Sequence, residues 1–199
     1  MATQTQRKEQ TRQALLDAAE RAFSKHGFHG VSLEAIAEDA GYSKGAVYGR
    51  FTGKNDLFLA VVEQRFDRRL ATLADWASTG TTLSDRLTAG VLAQSRAVDQ
   101  DVAWSAAWVE FVAHATRHPE TLRELRALDA RLVARAGPEL GTRLGLEGPD
   151  ARYLTAVSLL IGSGLLIERL LNPAAIDDAV AQRLARALAA DLEKGHDHE

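Results

Sequence analysis

The chain has 199 residues, 46% hydrophobic and 26% charged, with no cysteine. That is enough for a sizeable core in one large domain or two small ones, and too ordinary a composition for wholesale disorder. Disulfides and thiolate chemistry are excluded, and the formal net charge of −3 rules out a uniformly basic nucleic-acid binder.

The charge is uneven along the chain. Residues 1–55 carry eight Lys/Arg against six Asp/Glu, a balance of +2, which leaves 16 against 21 of the totals of 24 and 27 for residues 56–199. Attraction to phosphate is local, so this mild asymmetry points to the N-terminal part. The opening run MATQTQRKEQTRQ has no apolar segment of a secretory signal. The longest uncharged apolar run, Leu154–Ile167, has fourteen residues, short of the roughly 20 a membrane span needs. The default expectation is a soluble, cytoplasmic protein.

Apolar residues recur every three to four positions almost throughout, and sustained alternation is missing, so the fold class expected is all-α with about nine helices. The first spans roughly 8–25, with Leu15, Ala18, Ala19, Ala22 and Phe23 as its stripe and Gly27 and Gly30 after it. Ser32 caps a short helix that places Leu33, Ile36, Ala37 and Ala40 inward and Glu34 and Glu38 outward; Gly41 stops it. Ser43 caps a second short helix ending near Phe51, and a longer one covers about 54–77. The polar run Ser78–Thr82 reads as a linker. Further helices are expected at about 83–98, 101–117, 119–136, 149–171 and 176–193, with Pro119, Pro149 and Pro173 at or near their starts. The end, from Gly195 through HDHE, is expected to be disordered. A cut into 1–55 and 56–199 follows from this pattern.

The stretch GYSKGAVYGRF, residues 41–51, carries the chemistry. Two short helices joined through Gly41 have the spacing of a helix-turn-helix, whose second helix enters the DNA major groove with its N-terminal residues leading. Ser43, Lys44, Gly45 and Ala46 would lead. Lys44 can donate to a base edge or a phosphate, while Gly45 and Ala46 admit close backbone approach. Tyr42 and Tyr48 offer hydroxyls, and Arg50 and Lys54 offer charge, for phosphate oxygens. The competing reading is a plain packing unit, since glycine-joined amphipathic helix pairs are common in all-α proteins. Two tyrosines among cations, on a helix anchored chiefly by Val47 and Phe51, argue against it.

The run VSLEAIAEDAGYSKGAVYGRFTGKNDLF resembles the DNA-binding region of TetR-family transcriptional regulators. The likeness rests on Ser32, Ile36-Ala37, Ala40-Gly41, Ser43, Gly45, Val47, Tyr48, Phe51, Lys54 and Leu57-Phe58 at fixed spacings, and covers about residues 8–60. It implies a homodimer with an N-terminal helix-turn-helix three-helix domain and a C-terminal helical effector-binding and dimerisation domain. By motif position Tyr48 and Lys54 would touch phosphate, with Lys44 to Val47 and Arg50 in or beside the groove; Thr11 and Arg12 are further phosphate candidates. Tyr42 stands where a small aliphatic is usual, and Gly49-Arg50 replaces an aromatic-plus-His pair, so base preference does not transfer. Gly53 stands where a serine cap is common, leaving Thr52 or Asp56 to satisfy that helix end.

In the larger part, Trp104, Trp108 and Phe111 recur at steps of four and three, within roughly 60° of arc. They are either ordinary core or the lining of a pocket for an apolar or cationic ligand. Phe66, Leu70, Tyr153 and Trp76 are secondary lining candidates. Glu110 and His114 would orient a ligand or form a charge cluster with Arg117. The last two helices are the most apolar part, with Leu159, Leu160, Ser163, Leu166, Ile167 and Leu170 on one and Val180, Leu184, Ala187 and Leu188 on the other. They suit a two-fold four-helix interface, with intramolecular core as the alternative; Gly162, Ser163 and Gly164 would permit close approach.

The expected function is a ligand-responsive homodimeric repressor released from a palindromic double-stranded DNA operator by a small apolar or aromatic molecule. A helical protein-interaction module, or a DNA-binding activator without a ligand, are the alternatives. The enzyme class lacks support: no glycine-rich phosphate loop follows a strand pattern, no HExxH occurs, and the histidines at 26, 29, 114, 118, 196 and 198 show no catalytic spacing. No cofactor and no metal are expected, HDHE being better read as a solvated tail.

Overall fold

In the computed structural model, residues 3–77, 79–172 and 177–196 are described. Among them are nine helices and no strand: α1 Gln4–His26, α2 Leu33–Asp39, α3 Lys44–Tyr48, α4 Lys54–Ala77, α5 Leu83–Gln100, α6 Val102–Thr116, α7 Pro119–Leu144, α8 Gly148–Leu171 and α9 Asp178–His196. The all-α reading holds. Pro173, Ser78 and the last three residues of HDHE lie outside the described residues. The helix before that tail continues through Gly195 to His196, two residues into the segment expected to be disordered.

Local chemistry sets most boundaries. Thr3 opens α1 and Thr82 opens α5 with reciprocal capping boxes, to Gln6 and Asp85. Ser32 accepts from Ala35 N–H at 3.2 Å to start α2. Gly53 cannot cap α4 with a side chain; Asp56, in the first turn, reaches back instead to accept from Thr52 N–H at 2.8 Å and from its hydroxyl at 3.2 Å, which fixes the turn that enters the helix. The helix expected to end at Ala136 runs eight residues further, through Pro138. Leu132, Ala136, Leu140 and Leu144 are all buried at steps of four. That unbroken stripe outweighs the roughly 3 kcal/mol penalty of an interior proline.

The helices form two compact units. One comprises Met1–Phe66 with Ala103–Asp129, the other Asp67–Val102 with Ala130–Glu199. The units interleave along the chain: α6 belongs with α1, α2, α3 and the first half of α4.

The first unit is built on a ring cluster. Phe23, Phe28, Phe58 and Phe111 are fully enclosed. Phe58 lies against Phe23 at 4.9 Å, Phe28 at 5.3 Å, Phe111 at 4.4 Å and Trp104 at 5.1 Å between centroids. Offset-stacked and edge contacts of this kind add about 0.5–1.5 kcal/mol each beyond the burial of the rings. Leu15, Leu16, Ala19, Ile36, Ala37, Val47, Phe51, Leu57 and Val61 are among the residues that extend this core. Arg21 pairs with Asp39 at 2.8 Å, joining α1 to α2, and Arg65 pairs with Glu20, joining α4 to α1.

In the second unit α9 packs on α5, as does α8. Ala181, Ala185, Leu188, Ala189 and Leu192 form the buried stripe of α9. Arg169 donates to Ser95 Oγ at 2.6 Å and faces Asp99 at 3.3 Å, pinning α8 to α5.

Candidate nucleic-acid interface

α2 stops because Gly41 takes φ 74°, a left-handed value that any side chain would resist. Gly41 N–H bonds Glu38 O at 3.0 Å and Tyr42 N–H bonds Ala37 O at 2.8 Å, so the terminal carbonyls are satisfied. The chain then turns into α3 with Gly41, Tyr42, Ser43, Lys44 and Gly45 all exposed. Val47, at 0% exposure, and Phe51, at 2%, are its buried anchors. A five-residue helix fixed at one edge presents nearly everything else outward. Tyr48 is 47% exposed and Tyr42 36%.

Gly45 sharpens the assignment. A Cβ there would meet only Ser43 Oγ, at 3.8 Å, so internal packing does not demand glycine. Glycine within a helix costs about 1 kcal/mol relative to alanine. The missing side chain leaves open space on the outer side of α3.

The outward polar groups are organised. Glu34 of α2 accepts from Lys44 Nζ at 2.7 Å and from the Tyr48 hydroxyl at 3.1 Å, both on Oε1. The Lys44 ammonium also lies 5.5 Å from the Tyr48 ring centroid. Lys44, then the local backbone and the Tyr48 hydroxyl, hold the Glu34 carboxyl below its ordinary value. Glu34 in turn raises Lys44 above its own.

Arg50 donates to Ala46 O at 3.0 Å, and the Arg12 guanidinium lies 5.2 Å from the Phe51 ring. With Lys8 and Glu9 they line a notch of about 240 Å³ at the surface, three cations against one carboxylate. Thr11 turns its hydroxyl back to Arg7 O at 2.8 Å. Lys8 and Glu34 were not singled out in the sequence. The four-residue step from Lys8 to Arg12 on one face of α1 is the signal for the first; the helical period places Glu34 outward, but nothing local signals its pairing with Lys44.

Lys54 points elsewhere. Its ammonium donates to Val31 O at 3.1 Å and lies 4.6 Å from the Phe28 ring centroid. Burial pushes it below the ordinary lysine value, opposed by the charge of Glu110. In this structure it ties α4 to the turn between α1 and α2 instead of facing outward.

The residues expected to line an effector pocket fall in different surroundings. Phe111, at 0% exposure, and Trp104 are buried in the first unit's core, and Trp108 is half-buried against it. Glu110 accepts from His29 N–H at 3.3 Å and sits so close to Gly27 that a Cβ there would lie 2.5 Å from its oxygen. It holds the α1–α2 turn, where the sequence suggested a ligand or Arg117. His114 stacks with His118 at 3.9 Å and meets His29 at 5.5 Å. Burial, then His118, His29 and Lys54, push it below the usual histidine value. Phe66 and Leu70 are half-buried and Trp76 lies against Gly90 in the second unit. Tyr153 is exposed on α8, in the second unit, where its hydrogen bond to Asp191 raises its hydroxyl pKa.

Of the expected assembly residues, Leu159, Leu160, Ser163, Ile167, Val180 and Leu184 are exposed, Leu166 and Leu170 are half-buried, and Leu188 is buried inside the unit. Leu160 is 73% exposed, and Leu171, which was not expected, 76%. Gly164 has open space where a Cβ would stand.

Two family profiles match this chain: that of the bacterial regulatory proteins of the tetR family over residues 15–61, and that of the C-terminal part of BetI-type transcriptional repressors over residues 83–193. The chain belongs to the TetR family. The chain is 34% identical over 64 residues to the HTH-type transcriptional repressor AcnR of Corynebacterium diphtheriae, covering 32% of this chain and 34% of that protein. It is 32% identical over 94 residues to the HTH-type transcriptional activator FasR of Mycolicibacterium smegmatis, covering 47% and 43%. The chain thus spans less than half the length of these curated relatives. The fold likeness is wider. A TetR transcription regulator from Haloarcula marismortui superposes with a TM-score of 0.66 at 20% identity, over 92% of this chain and 98% of the other. GusR of Salmonella enterica gives 0.64 at 22%, over 90% and 95%. The tetR-family match over residues 15–61 takes in the second half of α1, all of α2 and α3, and the start of α4.

Proposed function

We propose that this protein is a homodimeric repressor in which two copies of α3 read a palindromic operator and a small apolar or aromatic molecule releases them. The observation that carries the reading is the unbroken exposed run Gly41–Gly45, with Tyr48 beside it, held out on the buried anchors Val47 and Phe51. Tyr42, Ser43, Gly45 and Ala46 face the major groove in this reading, Lys44 stands at its edge within reach of a phosphate, and Tyr48, Arg50, Arg12 and Thr11 take the backbone on either side. Lys54 joins them only by leaving Val31.

The exposed stripe of Leu160, Ile167 and Leu171 on α8, with Val180 and Leu184 on α9, buries against its counterpart in a second copy. α8 is long and apolar enough to cross a membrane. We read it as a face of a cytoplasmic dimer because Glu168 and Arg169 interrupt it and Arg169 is committed to α5. Dimerisation sets two reading heads about one helical turn apart, ~34–36 Å.

Effector release would run through Phe58. That ring lies four residues after Lys54 on α4 and stacks on Trp104 and Phe111, so a ligand entering beside Trp104 or Trp108 must displace it and shift α4. A ligand acts only by its differential affinity for the two positions of α4. The test is an electrophoretic shift and a reporter assay on the gene's own upstream DNA. Salt-sensitive binding with lowered transcription supports repression. Raised transcription supports activation, which the likeness to FasR makes the second reading. Absence of a shift at low salt refutes the operator assignment.

A further inference from the structure

The helix-turn-helix carries a carboxylate at an unexpected place. Glu34 stands in the first turn of α2, yet it faces the outward side of α3. One oxygen, Oε1, takes both the Lys44 ammonium at 2.7 Å and the Tyr48 hydroxyl at 3.1 Å. These are two of the donors that the operator-binding reading gives to DNA, and this inference rests on that reading. An ammonium and a phenol converging on one anionic oxygen is the arrangement a phosphate oxygen would receive from the same groups. We propose that Glu34 is an internal competitor for DNA phosphate, which must be displaced from Lys44 and Tyr48 before the head can close on the backbone, and which thereby weakens binding to duplex of any sequence.

The ion accounting follows. When a phosphate takes a free lysine, the DNA releases a counterion, and each such contact steepens the dependence of log affinity on log salt by about 0.9. When it takes Lys44 from Glu34, the freed carboxylate leaves a negative charge beside the phosphates that holds cations there, which offsets most of the release. Lys44 then adds little to the salt dependence although it adds a contact. The pair is exposed, at 66% for the Lys44 side chain and 44% for Glu34, so its strength is that of a surface ion pair and the effect on affinity is modest.

Glu34 is a positioning residue by this argument, and a purely structural role would look different. Loss of a helix-packing contact would weaken DNA binding and leave the salt dependence alone. Relief of competition tightens binding and steepens it.

The experiment measures affinity for a fixed arbitrary duplex, by fluorescence anisotropy across a salt series, for the full chain and for Glu34→Gln, Lys44→Met and the double variant. Glu34→Gln is expected to bind roughly two- to five-fold more tightly with a slope steeper by about 0.9. In the Lys44→Met background the same change is expected to leave the slope where it is. Thermal melting of each variant confirms that the head is folded. Unchanged or weakened binding by Glu34→Gln, or an equal steepening with Lys44→Met, overturns the proposal while leaving DNA binding intact. Failure of the unaltered chain to bind duplex in a salt-dependent way overturns both the proposal and the reading beneath it.

Discussion

Two surfaces of this molecule expose what a solitary globular protein would hide or neutralise, and they do so in opposite chemical terms. The α3 surface shows two tyrosines, lysine and glycine around a single buried valine. The α8–α9 surface shows Leu160, Ile167, Leu171, Val180 and Leu184, five apolar side chains. The first suits a polyanion with a patterned groove, because each exposed group is a donor or a vacancy. The second suits another apolar face, because only removal from water rewards it, at about 25 cal/mol per Å². In the proposed reading, the contrast separates two jobs, reading and assembling.

That separation can be broken most severely on the assembly side. Replacing Leu160 and Ile167 together by aspartate puts charge into the middle of the proposed interface. Sedimentation should then show a monomer, and operator affinity should fall by about 10²-fold or more as the linked second head is lost. Affinity of a single head for a half-site should hardly change. A double variant that stays dimeric would remove α8 from the interface.

A smaller and sharper test lies on the reading side. Gly45→Leu adds a side chain where only Ser43 Oγ is near. Its fold should be as stable as before, or up to about 1 kcal/mol more so, because leucine favours a helix over glycine. Operator affinity should nevertheless fall about ten-fold or more through collision with the groove. Stability and binding moving in opposite directions would mark Gly45 as a functional vacancy. A parallel loss of both would return it to the packing account.

The same contrast explains what was legible in the sequence. Elements set by neighbours in the chain were readable: the Ser32 cap, the Gly41 stop, the anchors Val47 and Phe51, and the apolar stripes of α8 and α9. What failed depended on distant partners. Gly137-Pro138 looked like the end of α7, because the buried positions on either side were not seen as one stripe. The stripe of Trp104, Trp108 and Phe111 was visible, but not that Phe58 fills the space against it. Lys54 looked like a phosphate ligand, until Val31 and Phe28 gave its ammonium another seat. Glu34 and Lys44 are ten residues apart on different helices, and only the turn at Gly41 brings them together.

The smallest predicted effect concerns the internal side of the head, which neither surface exposes. His114 is packed by Phe28 and Phe111 from the core, with His118, His29 and Lys54 adding positive charge and Glu110 the nearby carboxylate. Its folded pKa lies below the ordinary histidine value, first through burial. The unfolded chain therefore binds this proton more readily, and stability must rise with pH where the two states differ. The contribution is complete above about pH 6.5 and is lost as pH falls through the lowered folded value. Melting temperature should accordingly decline on acidification from pH 7.5 to 5.5, and His114→Gln should decline less across the same interval, since glutamine has no proton to gain. Equal slopes for the two proteins would show that the histidine stack takes no part in the acid sensitivity of the head.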